Sequence, residues 1–348
     1  MNDFLKYIKS RGYLHQCTNE AGVTQALKKS TSGYIGFDCT SDSLHAGSLL
    51  PLMLLRVFQK FGHKPILLLG GGTTLVGDPS GKDETRKILS EKDIKNNKNK
   101  LKEVFKKFVS FESSNNAILI DNYDWLTNLK YIDFLREIGS KFSVNKMMSL
   151  ESIKQRLNRE QNLSFLEFNY SLLQAYDFLE LKRKNNCKIQ FGGSDQWGNI
   201  LTGNELIRRI DGGESFALTT PLITKSDGGK FGKTEEGNVW LDETKTSPYK
   251  FYQFWINVSD EDAKIFIKIF TQKSKEEIDI LISDHNKEPH LRILQNALAE
   301  EITEIVHNKE KLNIAKSTSN VLFGKFKKED FEKLEENVMD SLSTAVPC

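Results

Sequence analysis

Three times in this chain an apolar run ends in a glycine-bearing turn and a helical pattern follows. The runs are Tyr34 to Phe37, Ile66 to Leu69 before Gly70-Gly71-Gly72, and Ile189 to Phe191 before Gly192-Gly193. Strands separated by helices are joined by crossovers that bring them back side by side in parallel. The alternation therefore predicts an α/β fold with a doubly wound parallel sheet. Ligands of such sheets lie at the carboxyl ends of the strands, where these three turns would meet.

The first of these turns is the richest. Gly33-Tyr-Ile-Gly-Phe-Asp-Cys-Thr-Ser-Asp-Ser-Leu-His-Ala-Gly-Ser48 reads as a strand, a polar turn and the mouth of a helix running roughly from Ser48 to Phe61. Pro51 is tolerated there because first-turn amides have no intrahelical partner, and Ser48 is the expected N-cap. Unpaired amides and the helix dipole favour an anion at such a mouth. Gly47 allows close backbone approach and His45 offers a donor beside it. Taken by itself, His45 reads more readily as a cap or packing residue.

Between the second and third sheet segments, residues from about 90 to 187 read as a helical insertion, with an aromatic stretch from Phe165 to Phe178 suited to an interface. From Ser247-Pro248 onward only helices are expected, with Ser259-x-x-Asp262 and Ser274-x-x-Glu277 as capping boxes. Leu291, Leu294, Leu298, Ile302 and Ile305 fall on one face of a helix of about four turns and read as core. The expected division is a catalytic domain over 1–246, a helical domain over 247–330 and a tail over 331–348.

The 348 residues suffice for two or three domains. A net charge of +2 with 38% hydrophobic and 28% charged residues excludes a disordered chain and gives no push toward membranes or bulk nucleic acid. Cys17, Cys39, Cys187 and Cys348 form no C-x-x-C pair, which fits a reducing compartment. Without a signal-peptide core or an apolar run of bilayer length, a cytoplasmic protein with no membrane association is expected.

Two lysine-bearing loops complete the picture. Gly77-Asp-Pro-Ser-Gly-Lys82 departs from a P-loop in spacing, and Pro79 lacks an amide, but Lys82, Arg86 and Lys87 suit a basic loop that reaches a polyphosphate. Lys230-Phe-Gly-Lys-Thr234 follows the glycine-rich Lys225-Ser-Asp-Gly-Gly run. Two lysines and a hydroxyl there would stabilise charge on a leaving pyrophosphate. Each loop taken singly also fits a solvated turn.

Together these stretches resemble a class I aminoacyl-tRNA synthetase. His45-Ala-Gly-Ser48 looks like the HxGH signature and Lys230-Phe-Gly-Lys-Thr234 like KMSKS. Gly192-Gly-Ser-Asp-Gln-Trp-Gly-Asn199, Gly77-Asp-Pro-Ser-Gly-Lys82 and Leu173-Gln-Ala-Tyr-Asp-Phe178 are similar to the bacterial-type tyrosyl-tRNA synthetase family, over about residues 5 to 330. The resemblance implies a Rossmann-like sheet with a helical insertion and an all-helical domain on the anticodon side. It also implies ATP-dependent formation of tyrosyl adenylate and transfer of tyrosine to tyrosine tRNA.

The resemblance further assigns residues. Tyr34 and Asp177 correspond to the pair that hydrogen-bonds the substrate phenol. Asp78, Tyr170 and Gln174 correspond to residues that hold its ammonium group, and Gln190 and Gln196 line the same region. Gly36, Asp38, Gly47, Ser48, Gly193 and Asp195 fall around the nucleoside, while Thr40, His45, Lys82, Arg86, Lys230, Lys233 and Thr234 fall around the phosphates. Rejecting phenylalanine follows physically, because it would leave a buried hydroxyl reader unpaired. No general base is required, since the tyrosine carboxylate is already a nucleophile. Mg2+ is expected to accompany ATP, although no carboxylate cluster stands out to hold it.

Two features depart from the family. Ser48 replaces the second histidine of HxGH, and Ile35 occupies a position where many relatives carry cysteine, which predicts a somewhat weaker ATP site. The chain also stops where relatives continue into an S4-type RNA-binding domain. A homodimer joined near Tyr131 to Phe168 is implied, with one tRNA crossing both subunits. Lys92 to Lys107 holds seven lysines, and Phe323 to Lys333 is also basic; both read as solvated faces that can touch phosphate. The rival readings are a tryptophanyl-tRNA synthetase, a noncatalytic RNA-binding relative and a nucleotidylyltransferase of the same superfold. Tyr34 with Asp177, the intact His45 and lysine loops, and the ammonium cluster respectively argue against them.

Overall fold

The structure, a computed structural model, describes residues 3–78, 89–160, 162–226, 228–229, 231–234, 237–324 and 336–345. The chain forms two compact units, one of residues 1–42 with 51–222 and one of residues 43–50 with 223–348.

The first unit is built on six strands: Gln16–Cys17 (β1), Ser32–Asp38 (β2), Lys64–Gly70 (β3), Ile118–Asp121 (β4), Cys187–Gly193 (β5) and Phe216–Thr220 (β6). Their order is β1-β6-β5-β2-β3-β4. All neighbours pair in parallel except β1, which lies antiparallel on β6. In β3 every residue after Lys64 is buried, as a parallel strand covered on both faces requires. From β2 the chain winds outward through β3 and β4, then crosses back to add β5 and β6 on the other side. The winding therefore reverses between β2 and β5, the position where doubly wound sheets open a crevice.

Two sequence expectations are corrected here. The 90–187 segment is not one insertion, because Glu91–Lys106 is a crossover helix and Ile118–Asp121 is a sheet strand paired to β3. A half-exposed strand of four residues is too short to stand out against helical patterning on both sides. The helix after β2 begins at Leu49, not Ser48, because Ala46–Ser48 forms a 3-10 turn with His45 as its N-cap.

The helices Tyr170–Asn185 and Trp197–Asp211 end where Asn186 and Gly212 turn left-handed, at φ 49° and 63°. Tyr34, Ile66, Leu68, Phe178, Leu179 and Leu206 share the core beneath them.

The second unit carries the two-stranded ribbon Lys233–Thr234 (β7) and Gly237–Asn238 (β8). Its helices are Pro248–Ile256, Asp260–Phe270, Lys275–Lys287, Ile293–Phe323 and Glu336–Ala345. Its core is aromatic, with Phe231, Trp255, Phe266 and Phe270 in mutual ring contact. The Ser274 capping box is complete, whereas the Ser259 box is half made: Ser259 Oγ accepts from the Asp262 amide, but the Asp262 carboxylate turns to Ser226. Leu294, Leu298 and Ile302 are buried as the pattern predicts. Leu291 is not; it is 48% exposed, because Arg292 adopts φ 51° and starts the helix only at Ile293.

Candidate active site

In the first unit the predicted phenol readers come together. Asp177, on the Tyr170–Asn185 helix, is 2% exposed. It accepts hydrogen bonds from Asn122 Nδ2 at 2.9 Å and Trp125 Nε1 at 2.7 Å. Burial pushes its carboxyl up to about 8, against the opposing pull of those two donors. Tyr34, on β2, is 1% exposed and its hydroxyl has no partner among the described residues. Burial first, and then the nearby Asp177 charge, raise the Tyr34 phenol well above its ordinary value, so it stays a protonated donor. A buried hydroxyl without a partner is costly, and a ligand that pairs with it recovers that cost.

Tyr170 opens the same helix. Its hydroxyl donates to Asp38 Oδ2 at 3.1 Å while Thr73 Oγ1 donates to Asp38 Oδ1 at 2.8 Å. Burial, then Asp38 and Asp78, hold the Tyr170 phenol protonated, and Asp177 acts in the same direction. Gln196 Nε2 donates to Asp78 Oδ2 at 3.0 Å and to Asp195 Oδ2 at 3.2 Å, which ties the turn after β5 to the one after β3. Gln174 and Gln190 each keep a buried side-chain oxygen without a partner among the described residues. Gln190 stands in register with Tyr34 across the β2–β5 pair. The result is a cluster of buried polar side chains beside the strand pair where the winding reverses, with three of their oxygens left without a partner among the described residues.

Gly36 is the exposed residue of an otherwise covered β2, and a side chain added there would meet nothing within 4 Å. The bare backbone leaves room for a flat group against the sheet. At Gly193 a Cβ would stand 2.4 Å from Asp195 Oδ1, so that turn admits its carboxylate only because the side chain is missing. Thr40 follows β2 on an exposed bend.

The second unit gathers the other signature. His45 Nδ1 accepts from the Gly47 amide at 3.0 Å, which fixes the tautomer and makes Nε2–H the donor of the ring. Burial, and then the Lys233 charge, lower the His45 pKa, so the ring is neutral at physiological pH. Its backbone bridges Trp240, whose ring meets the imidazole edge-on at 6.2 Å. Gly232 packs directly on the Gly47 amide, and Phe231 beside it is buried among the helical aromatics. Residues 45–48 and 231–233 thus form one local structure, with Lys233 exposed on β7. Ser48 is half-buried in the 3-10 turn and donates its amide to the His45 carbonyl. Lys82, Arg86 and Lys230 lie outside the described residues, as does the side chain of Thr234.

Sequence reading missed Asn122, Trp125 and Thr73. Each supports a predicted residue from a loop after β3 or β4. The Asn122-Tyr-Asp-Trp125 run follows β4, and identifying that strand would have marked the run as a strand-end turn.

A mostly parallel sheet whose winding reverses beside a cluster of buried polar side chains defines an α/β protein of the Rossmann-like type. Residues 26–324 match the family of tRNA synthetases class I (W and Y), and the chain belongs to that family. Within it, the chain is 52% identical to the tyrosine--tRNA ligase of Bacteroides fragilis, over 99% of this chain and 81% of that one. It is 51% identical to the tyrosine--tRNA ligase of Flavobacterium johnsoniae, over 100% and 81%. Among solved structures it is similar to a C-terminally truncated mitochondrial tyrosyl-tRNA synthetase of Aspergillus nidulans, with a TM-score of 0.83, 28% identity, and 93% and 95% of the two chains covered.

Proposed function

We propose that the protein is a tyrosine-tRNA ligase, which joins L-tyrosine to ATP as tyrosyl adenylate and then passes tyrosine to the 3'-terminal adenosine of tyrosine tRNA. One observation carries the substrate choice. The orphaned Tyr34 hydroxyl lies in the field of the buried Asp177 carboxyl, a pair that a substrate phenol satisfies and an unsubstituted ring does not. Tyr170, Asp78, Gln174, Gln190 and Gln196 supply negative charge and acceptors for the substrate's ammonium group.

In the first step the tyrosine carboxylate oxygen attacks the α-phosphorus of ATP as the bond to pyrophosphate breaks. Placement and charge carry such a step, with no proton to move. Gly36, Asp38, Gly193 and Asp195 suit the nucleoside. His45, with its Nε2–H, and Lys233 suit the phosphates, joined by Gly47, Ser48, Thr40, Lys82, Arg86, Lys230 and Thr234. In the second step a ribose hydroxyl of the tRNA attacks the activated carbonyl, the bond from that carbonyl to the phosphate oxygen breaks, and AMP leaves with the hydroxyl proton passing to its phosphate. Mg2+ enters with the ATP polyphosphate. Among the described residues no group of three or more His, Cys, Asp or Glu is arranged as a resident metal site.

The working form is a homodimer. Tyr131 and Ile132 are 62% and 61% exposed, and Phe165, 69% exposed, lines an apolar cleft with Met148 and Leu157. A second copy covers it and carries part of the tRNA. Residues 1–246 serve catalysis and 247–330 the anticodon side. Among the described residues no helix is long and apolar enough to cross a membrane, and the cytoplasm, where tRNA is charged, is the proposed compartment.

The test is tyrosine-dependent exchange of labelled pyrophosphate into ATP, with phenylalanine and tryptophan as controls. Exchange with tyrosine alone is expected. Exchange led by tryptophan, or none with any amino acid, overturns the assignment.

A further inference from the structure

We infer that Asp262 is a positioning residue for the lysine-bearing loop, holding its entry to the Asp260–Phe270 helix through Ser226. The inference rests on the reading above, in which that loop meets the phosphates of ATP.

Asp262 is the third residue of its helix and is 5% exposed. In a capping box its carboxylate would fold back to the amide of Ser259. Instead Oδ1 accepts from the Ser226 amide at 3.0 Å and Oδ2 from Ser226 Oγ at 3.3 Å. Ser259 Oγ lies 3.0 Å from the same hydroxyl. The neighbouring Asp260 is engaged elsewhere, accepting from Gln295 Nε2 at 2.6 Å. Asp262 has thus given up the local bond in favour of one made 36 residues away in sequence.

Farther along the loop lies a second anchor on the same helix. Phe231 meets Phe266 at 4.9 Å between ring centroids and stacks on Phe270 at 12° and 5.7 Å. Lys225 and Gly229 close a tight turn, with the Lys225 amide donating to the Gly229 carbonyl at 3.0 Å. The loop is therefore pinned at Ser226 by polar bonds and at Phe231 by aromatic packing, and Lys233 emerges two residues beyond the second pin. A hydrophobic pin fixes depth but leaves rotation free. A carboxylate that takes both a backbone and a side-chain donor fixes direction as well. Release at Ser226 would let the loop pivot on Phe231 and blur the placement of Lys233, and misplacement of a charge-stabilising group lowers turnover.

The test compares Asp262→Ala and Asp262→Asn in the full chain. In Asp262→Ala, turnover in pyrophosphate exchange should fall about tenfold, the scale of a lost hydrogen bond to a charged group, with the tyrosine KM held within about twofold. Asp262→Asn keeps an oxygen for the Ser226 amide and should recover most of the turnover. Ser274→Ala, which removes the cap of a different helix, should lower thermal stability without that split. An unchanged turnover in Asp262→Ala, or a parallel loss of turnover and tyrosine affinity matched by Ser274→Ala, overturns the inference. Hydrogen exchange at the Ser226 amide reads the anchor without any activity. It should quicken about tenfold or more in Asp262→Ala, and unchanged protection overturns the anchor even where the functional assignment stands. If the wild type lacks exchange activity, the assignment fails while the anchor is still read by that amide.

Discussion

A Cβ built on Gly232 would stand 2.5 Å from the backbone nitrogen of Gly47. Gly232 also sits at φ 80°, where a side chain is strained. Two positions 185 residues apart are thereby made one structure, because the lysine loop can press on the histidine turn only if it carries no side chain at the point of contact.

Gly232→Ala should therefore cost about 1–3 kcal/mol locally, from left-handed strain plus a clash with backbone that has nowhere to go. The expected result is a raised ATP KM and lowered turnover, with tyrosine affinity unchanged. Steady-state exchange kinetics over both substrates check it, and equal effects on the two affinities would contradict it.

Tyr34→Phe should act with opposite signs on stability and recognition. It removes a buried hydroxyl that lacks a partner, so the denaturation midpoint of the free protein should hold or rise. It also removes the reader of the substrate phenol, so the preference for tyrosine over phenylalanine should fall about tenfold. Urea melts and competing-substrate kinetics on the same preparation measure both.

Asp177 sets a pH dependence. Its carboxyl, ordinarily near 3.8, is raised to about 8 in the folded protein, first by burial. The folded state thus holds the proton more tightly than the unfolded chain. This contribution to stability is fully present below the unfolded value and is lost as pH rises through about 8. The free protein should become less stable between about pH 5 and 8, and Asp177→Asn should flatten that slope. Denaturation midpoints across the range decide it.

Phe165→Asp should break the proposed homodimer, because it puts a charge into the most exposed part of the apolar region. Sedimentation should show a monomer. Ile265→Asp, at a residue that is also exposed but lies in the other unit, should sediment like the wild type.

The legibility of the sequence followed a physical divide. β2, β3 and β5 were readable because buried parallel strands are continuous apolar runs ended by glycine turns. β4 was not, because four half-exposed residues among helical patterns carry no distinct period. Tyr34, Asp177 and Tyr170 stand out in the sequence through long local motifs, and the structure buries all three with Asp177 in the field of both phenols. Asn122, Trp125 and Thr73 were missed because their roles exist only by contact with residues far along the chain.

Local covalent order therefore determined the buried strand runs, the glycine turns at their ends and the residue types offered there, since backbone preference and hydrophobic period act over a few neighbours. Tertiary structure alone decided which of those residues share a field. Burial raised the Asp177 carboxyl, the Gly47 amide chose the His45 tautomer, and the carboxylate of a helix's first turn was diverted from its own cap to Ser226. Each of these depends on desolvation or on a partner brought from a distant part of the chain, and no local pattern encodes either.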